Sequence, residues 1–446
     1  MSELWKADEL KAIFGTEQGW DISGISIDTR TLQPGDLFVA LASKRDGHDF
    51  VDAAFAKGAA AALVSKPMAG KTIHVPDTLK GLEALGREAR ARSSAKTVAV
   101  TGSVGKTTVK EMLRRALSAF GRVHAAEASF NNHIGVPLTL ARMPLDADFG
   151  VFEIGMNHPG EIAPLADLVR PDAAIITCVD KAHLGLMGSE LAIAKEKASI
   201  YGALAPGGTA VIPGETAYLQ LLREAVPPNC RALLFNGPEA RLLDVLSGPE
   251  TAEIAAEVLD RKLYLLLAAP GRHMASNALA TLTVCAALGL DLEMAAAALS
   301  GFVPYAGRGA RRRIKLASGG DVLLLDESYN ASGASMRAAF AVLKLQPGRH
   351  VAVLGDMLEL GEHAYAEHLA LGPALRESAD IVFAAGPGCG ALFDSLPQAM
   401  QGAHASSAAA LAPVVKAALR NGDAVLVKGS YGSRMRDVVS VLESDC

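Results

Sequence analysis

The sequence predicts an α/β protein in three domains, with a mostly parallel sheet in the central one. Three observations carry that reading. An apolar, β-branched run at 98–101 passes through Gly102-Ser103-Val104-Gly105-Lys106-Thr107-Thr108 into apolar residues at helical spacing: Val109, Met112, Leu113, Ala116, Leu117 and Phe120. Strand and helix patterns then alternate to about residue 307. Beyond Gly307-Arg308-Gly309 the alternation starts afresh, with four more buried-strand runs.

The 446 residues are enough for about three domains. Half are hydrophobic and a fifth charged, which suits large cores. A net charge of −5 argues against nucleic acid as a partner, and the clusters Arg114-Arg115 and Arg311-Arg312-Arg313 are too short to reverse that. No apolar run is long enough to span a membrane, and Met-Ser-Glu-Leu-Trp-Lys opens no signal peptide. Cys178, Cys230, Cys285, Cys389 and Cys446 form no C-x-x-C pair, so they read as free thiols of a cytoplasmic protein.

The first domain is expected over residues 1–78. It holds strand patterns at 22–27, 37–41, 61–64 and 73–75, a Pro34-Gly35 turn, and a helix through Phe50, Val51, Ala54 and Phe55. Asp77 caps the next helix, which runs to about Arg92 and ends in a polar linker. The central domain, 79–307, takes strands at 98–101, 149–154, 173–179, 209–212, 232–235 and 263–268. The third, 308–446, takes strands at 322–325, 351–354, 381–384 and 424–427 and reads as Rossmann-like. Ligands of such sheets sit at the carboxyl ends of the strands.

The chemistry-bearing residues gather at those ends. Gly102 and Gly105 free the backbone for close approach to a phosphate, and the following helix N-terminus faces the anion. Lys106 would reach the β- and γ-phosphates, and the Thr107 hydroxyl would ligate Mg²⁺. Val100 stands in place of the first glycine of the usual phosphate-loop pattern. Glu153 closes a hydrophobic strand beside the loop, where an Mg²⁺-binding carboxylate belongs; a plain surface glutamate is the alternative. Asp326-Glu327, after four apolar residues, is a rival of the motor-ATPase type, and a site between two domains could use both. On a helix from about Glu190, Lys197 falls on the apolar face with Ile193, Ile200, Tyr201 and Leu204, whereas Lys195 points about 200° away. Such a lysine either snorkels or has lost its charge. His183 follows a strand, and is either a structural histidine or a ligand.

Eight segments in order resemble the Mur ligases, ATP-dependent amide-forming enzymes of peptidoglycan synthesis. They are Thr101-Gly102-Ser103-Val104-Gly105-Lys106-Thr107-Thr108, Asn131-Asn132-x-Ile134-Gly135, Glu153-Ile154-Gly155-Met156-x-His158-Pro159-Gly160-Glu161, His183-Leu184, Ala194-Lys195-x-Lys197, Asn277-x-x-Ala280, Gly307-Arg308 and Asp326-x-Ser328-Tyr329-Asn330. Asp28-Thr29-Arg30 with Pro34-Gly35-Asp36 near the start, and Gly355-Asp356-Met357-x-Glu359-Leu360-Gly361 near the end, extend the likeness over essentially the whole chain.

The resemblance implies a UDP-sugar domain, an ATP domain and a closing third domain. It implies the substrates UDP-MurNAc-tripeptide, D-Ala-D-Ala and ATP. A terminal carboxylate is phosphorylated, and the amine of D-Ala-D-Ala attacks the acyl phosphate. Two Mg²⁺ ions are implied, one on Thr107 and Glu153, the other on His183 and a carbamylated lysine. Alignment to the aromatic Tyr201 makes that lysine Lys197. Gly102 to Thr108, Asn277, Arg308, Asp326 and Asn330 would hold ATP, and Asp28, Thr29, Arg30, Asn131 and Asn132 the UDP-substrate. A monomer is expected. His133, Glu327, Ala331-Ser332 and Asp180-Lys181 depart from the family pattern, which bears on how the third peptide residue is read. The competing readings are a sister ligase of the same family, a folylpolyglutamate-type ligase, and a nucleotide switch or motor.

Overall fold

The computed structural model describes residues 3–42, 45–126, 129–317 and 319–444. Cys446 lies outside them; the other four cysteines are free thiols. Three sheets organise the chain. The first has four parallel strands in sequence order: Gly24–Ser26, Asp36–Val39, Ala61–Val64 and Thr72–His74. Its core takes in Trp5, Leu10, Leu37 and Leu63. It also takes Leu82, Leu85 and Ala89 from the helix Thr78–Arg92, and Leu138 and Ala141 from the helix Gly135–Ala141. The Asp77 carboxylate caps the first of these helices, accepting from Leu79 N and Lys80 N. The Arg92 guanidinium lies 3.4 Å over the Trp5 ring, whose Nε1 donates to Ala141 O. This seam welds the first sheet to the central body.

The central sheet has nine strands. Its parallel part runs Arg231–Phe235, Thr209–Pro213, Ala173–Ile176, Lys96–Thr101, Phe149–Glu153 and Val123–Ala125. Beyond Arg231–Phe235 comes Ala240–Ser247, then an antiparallel extension through Ala252–Val258 and Arg261–Leu267. One strand was expected in this stretch and three are present. Ala252–Val258 buries only alternate residues and carries Glu253 and Glu257 between them, so its apolar signal is halved. Lys96–Thr101, Phe149–Glu153 and Ala173–Ile176 are buried along nearly their whole length, which is why they read cleanly from sequence, whereas the half-buried edge strand Val123–Ala125 was not expected.

The third sheet orders its strands Ala310–Lys315, Asp321–Glu327, Ala424–Lys428, His350–Gly355, Ile381–Ala385 and Gln401–Ala405, with only the first antiparallel. The two edge strands were not expected. The first contains the arginine triplet, in which Arg312 pairs with Asp326 and Glu443, Arg313 pairs with Asp321, and Arg311 meets Gln346. The last, Gln-Gly-Ala-His-Ala, has no β-branched residue. Among the described residues no helix is long and apolar enough to cross a membrane.

Candidate active site

The phosphate loop forms where Lys96–Thr101 ends and the helix Lys106–Leu117 begins. Gly102 and Gly105 have φ of 149° and 87°. A Cβ on Gly102 would collide with Thr177 Oγ1, and one on Gly105 would stand 2.9 Å from Asn277 Oδ1, so neighbouring elements grip the loop from both sides. Ser103 Oγ donates to Asp180 O, and Thr177 Oγ1 donates to Val104 O. Lys106 Nζ donates to Gly102 O at 2.7 Å. Burial pushes the Lys106 pKa down, with Glu153 opposing the shift and Arg308 adding to it.

Glu153 closes the adjacent strand in register with Val100. It is 1% exposed. Oε1 accepts from Asn131 Nδ2 at 2.8 Å, whereas Oε2 is buried without a partner among the described residues. An orphaned carboxylate oxygen beside buried Thr107 is a donor set for a hard divalent cation. Asn131 is thus the partner of Glu153, and Asn132 Oδ1 accepts from Ile134 N and Gly135 N at a helix start.

His183 sits at φ 65° ahead of the short helix Leu184–Met187. The helix Glu190–Ala198, capped by Ser189, turns Lys195 to solvent and buries Lys197 to 1% exposure. Lys197 has no hydrogen-bond or ion-pair partner among the described residues. Burial first, and Lys106 second, lower its pKa to about 7. A buried, unpaired amine of that kind is largely available to CO₂. Next to it, Glu196 accepts from Gly160 N and Ile162 N, both at 2.8 Å, pinning the loop 157–161 to this helix.

A cleft of about 1140 Å³ opens beside these groups, lined by Lys106, Thr107 and Glu153 but not by Lys197, and reaching Asn131, Asn132, His158 and His183 on one side and Asn277, Arg308 and Asn330 on the other. The third sheet contributes Glu327, Tyr329 and Lys428. Lys428 Nζ donates to Glu327 Oε2 at 3.3 Å and to Asn330 O at 3.0 Å; burial lowers its pKa, with Glu327 opposing. The Arg308 guanidinium lies 4.3 Å over Tyr329, which in turn meets Tyr431.

One expectation differs in placement. Asp326 was expected at the nucleotide, yet it is fully buried and does not line the cleft. Its Oδ2 accepts from Gly307 N and Arg312, and its Oδ1 from Ser328 N and Oγ, so the carboxylate is consumed in fixing the Gly307–Tyr329 turn. Asp28, Thr29 and Arg30 lie after the first strand and outside the cleft; Arg30 clamps the Asp28 carboxylate and holds its pKa at about 2.

Sequence reasoning passed over Glu196, Lys428 and Glu359. Glu359 stands in a quoted segment, but only the fold shows its carboxylate 2.5 Å from His183. A second cluster, Asp356, His368 and Cys389, gathers possible ligand atoms that are already engaged. His368 Nε2 accepts from Met357 N, its Nδ1 faces Ala364 O, and Asp356 accepts from Cys389 N.

Three family profiles match the chain: "Mur ligase family, catalytic domain" over residues 21–117, "Mur ligase middle domain" over 100–285 and "Mur ligase, glutamate ligase domain" over 311–431. The UDP-N-acetylmuramoyl-tripeptide–D-alanyl-D-alanine ligase of Escherichia coli K12 is 36% identical, over 97% of this chain and 96% of its own. The crystal structure of MurF from Acinetobacter baumannii superposes with a TM-score of 0.88 at 30% identity, covering 99% of both chains. That of MurF ligase from Thermotoga maritima in complex with ADP gives 0.81 at 27% identity, over 95% of this chain and 97% of that one.

Proposed function

The chain belongs to the Mur ligase family, and from that premise we propose that it joins D-alanyl-D-alanine to UDP-N-acetylmuramoyl-tripeptide, converting ATP to ADP and phosphate. The observation that carries this reading is the full-length correspondence with ligases of that name, together with a cleft that holds a phosphate loop and an orphaned carboxylate oxygen. The proposed domains are 1–78, 79–307 and 308–446, one to each sheet, and the separate sheets support that division. The first boundary falls at the start of a helix that also serves the first core. All the site groups come from one chain, which fits a monomer; with no membrane-crossing helix among the described residues, the cytoplasm is the proposed compartment.

The reaction must bring a carboxylate to the γ-phosphorus of a triphosphate, two anions that repel. Lys106 supplies a fixed cation at the loop. Thr107 and Glu153 would hold one Mg²⁺; His183 and carbamylated Lys197 would hold a second. When bound, these ions neutralise phosphate charge and orient the reacting oxygens. The Lys197 ammonium gives up one proton to become the neutral amine, and carbamylation then joins that amine to the carbon of CO₂ and releases a second proton, so a buried cation becomes an anion. The loop backbone and Asn277 bind and orient the nucleotide, and Arg308 adds charge at the cleft edge. The peptide carboxylate oxygen attacks the γ-phosphorus, the bond to the β-phosphate oxygen breaks, and ADP leaves. The D-Ala-D-Ala amine, as the free base, adds to the acyl phosphate carbon, the adduct nitrogen loses one proton to solvent, and phosphate departs from the tetrahedral adduct to leave the amide.

Phosphate release measured with UDP-MurNAc-tripeptide alone, with D-Ala-D-Ala alone, and with both tests the reading. Release only with both supports it. Release without either, as a switch or motor gives, refutes it, as does a requirement for a different amino acid.

A further inference from the structure

We propose that Glu359 is a positioning residue for His183: it engages the ring at Nδ1 and leaves Nε2 facing the cleft, so that docking of the third sheet and completion of the second cation site are one event. The inference rests on the two-cation reading above. Glu359 lies in the loop after strand His350–Gly355, while His183 belongs to the central domain.

The contact is built on both sides. Both residues hold φ of 65°, a left-handed conformation that a non-glycine residue adopts only when its surroundings impose it. Glu359 Oε2 lies 2.5 Å from His183 Nδ1. Two residues on, Gly185 N donates to Glu359 O at 2.9 Å. The two backbones approach so closely that a Cβ on Gly185 would stand 2.5 Å from Gly361 N. Lys181 and Glu367 close the flank at 2.7 Å.

Nδ1 is the buried nitrogen of the ring, and Glu359 meets it as an ion-pair contact at 2.5 Å that lies outside hydrogen-bond angles, with no other partner for this nitrogen among the described residues. Nε2 has no partner among the described residues, and the side chain lines the cleft. A histidine that ligates a metal characteristically gives its other ring N–H to a carboxylate, which fixes the tautomer and aims the free lone pair. Here that carboxylate arrives on a different sheet from the ligand. An undocked third domain would leave His183 free to adopt either tautomer.

The test uses the full-length enzyme, a non-hydrolysable ATP analogue and bicarbonate, with Mn²⁺ binding followed by electron paramagnetic resonance and calorimetry. Two Mn²⁺ sites are expected. Glu359→Ala should weaken one about 10- to 100-fold and leave the other unchanged. Glu359→Gln keeps an acceptor oxygen and should restore most of the loss, which a merely structural contact would not require. Gly185→Ala, which forces the loops apart without touching the carboxylate, should give the same selective loss. Adding Glu359→Ala to His183→Ala should weaken binding no further. Two unchanged Mn²⁺ affinities in Glu359→Ala, or additive losses in the double variant, overturn this inference alone. A single Mn²⁺ in the wild type overturns it together with the two-cation reading.

Discussion

Replacing Lys197 with methionine removes the amine while keeping an unbranched side chain of similar length. In the fold the amine titrates near 7; unfolded, near 10.5. At about 1.4 kcal/mol per pH unit, ionised Lys197 therefore destabilises the protein by on the order of 5 kcal/mol below pH 7. The sign follows from proton counts. Between pH 7 and 10.5 the unfolded chain binds more protons at this site, so stability rises with pH across that window. In CO₂-free buffer at pH 7, Lys197→Met should melt about 10 °C above the wild type. It should also lack the stability gain between pH 7 and 9. Bicarbonate should stabilise only the wild type, because the carbamate is an anion facing Lys106. Turnover should nearly vanish in Lys197→Ala, with partial recovery in acetate or formate. Lys195→Ala should be mild, because that side chain is exposed. The reasoning is refuted if Lys197→Met is the less stable protein in CO₂-free buffer, if bicarbonate stabilises both alike, or if mass spectrometry of a fully active sample finds Lys197 unmodified.

Lys106→Ala should abolish turnover while leaving the thermal midpoint nearly unchanged, the missing cation raising the barrier by about 3–4 kcal/mol; more than a tenth of wild-type activity would contradict its phosphate role. Glu153→Gln should shift the Mg²⁺ concentration needed for half-maximal activity. Asp326→Asn should instead lose about 2 kcal/mol of stability in urea titration, because it weakens the bonds to Arg312, Ser328 and Gly307 N. The reverse pattern would move the metal site to the third sheet.

What was legible in the sequence follows from how fully each element is buried. Strands covered on both faces, such as Lys96–Thr101 and Ala424–Lys428, announce themselves as unbroken apolar runs. Ala310–Lys315 and Ala252–Val258 alternate or carry charge, so they passed as loops. At the site, periodicity alone separated Lys197 from Lys195, because a helix puts them on different faces. Asp326 could not be judged that way. A strand-end carboxylate looks the same in sequence whether it faces a cleft or is consumed by four local donors, and only its partners decide. Glu359 was harder still, since its meaning lies in a residue 176 positions earlier that only the packing of two sheets brings near.

The electrostatics of the cleft then have a common logic. Lys106, Lys197 and Lys428 are all buried, and burial depresses the pKa of each. Lys428 is partnered by Glu327, and Lys106 is opposed by Glu153. Lys197 alone has no bonded partner among the described residues, so it is the amine least able to remain a cation and the one best suited to become a carbamate. That leaves Lys106 as the charge retained for the triphosphate. An anion made at Lys197 would strengthen that retention, because the repulsion between the two lysines becomes an attraction. In this reading the modification does more than create a cation ligand: it also opposes the downward push that burial puts on the pKa of the phosphate-binding lysine.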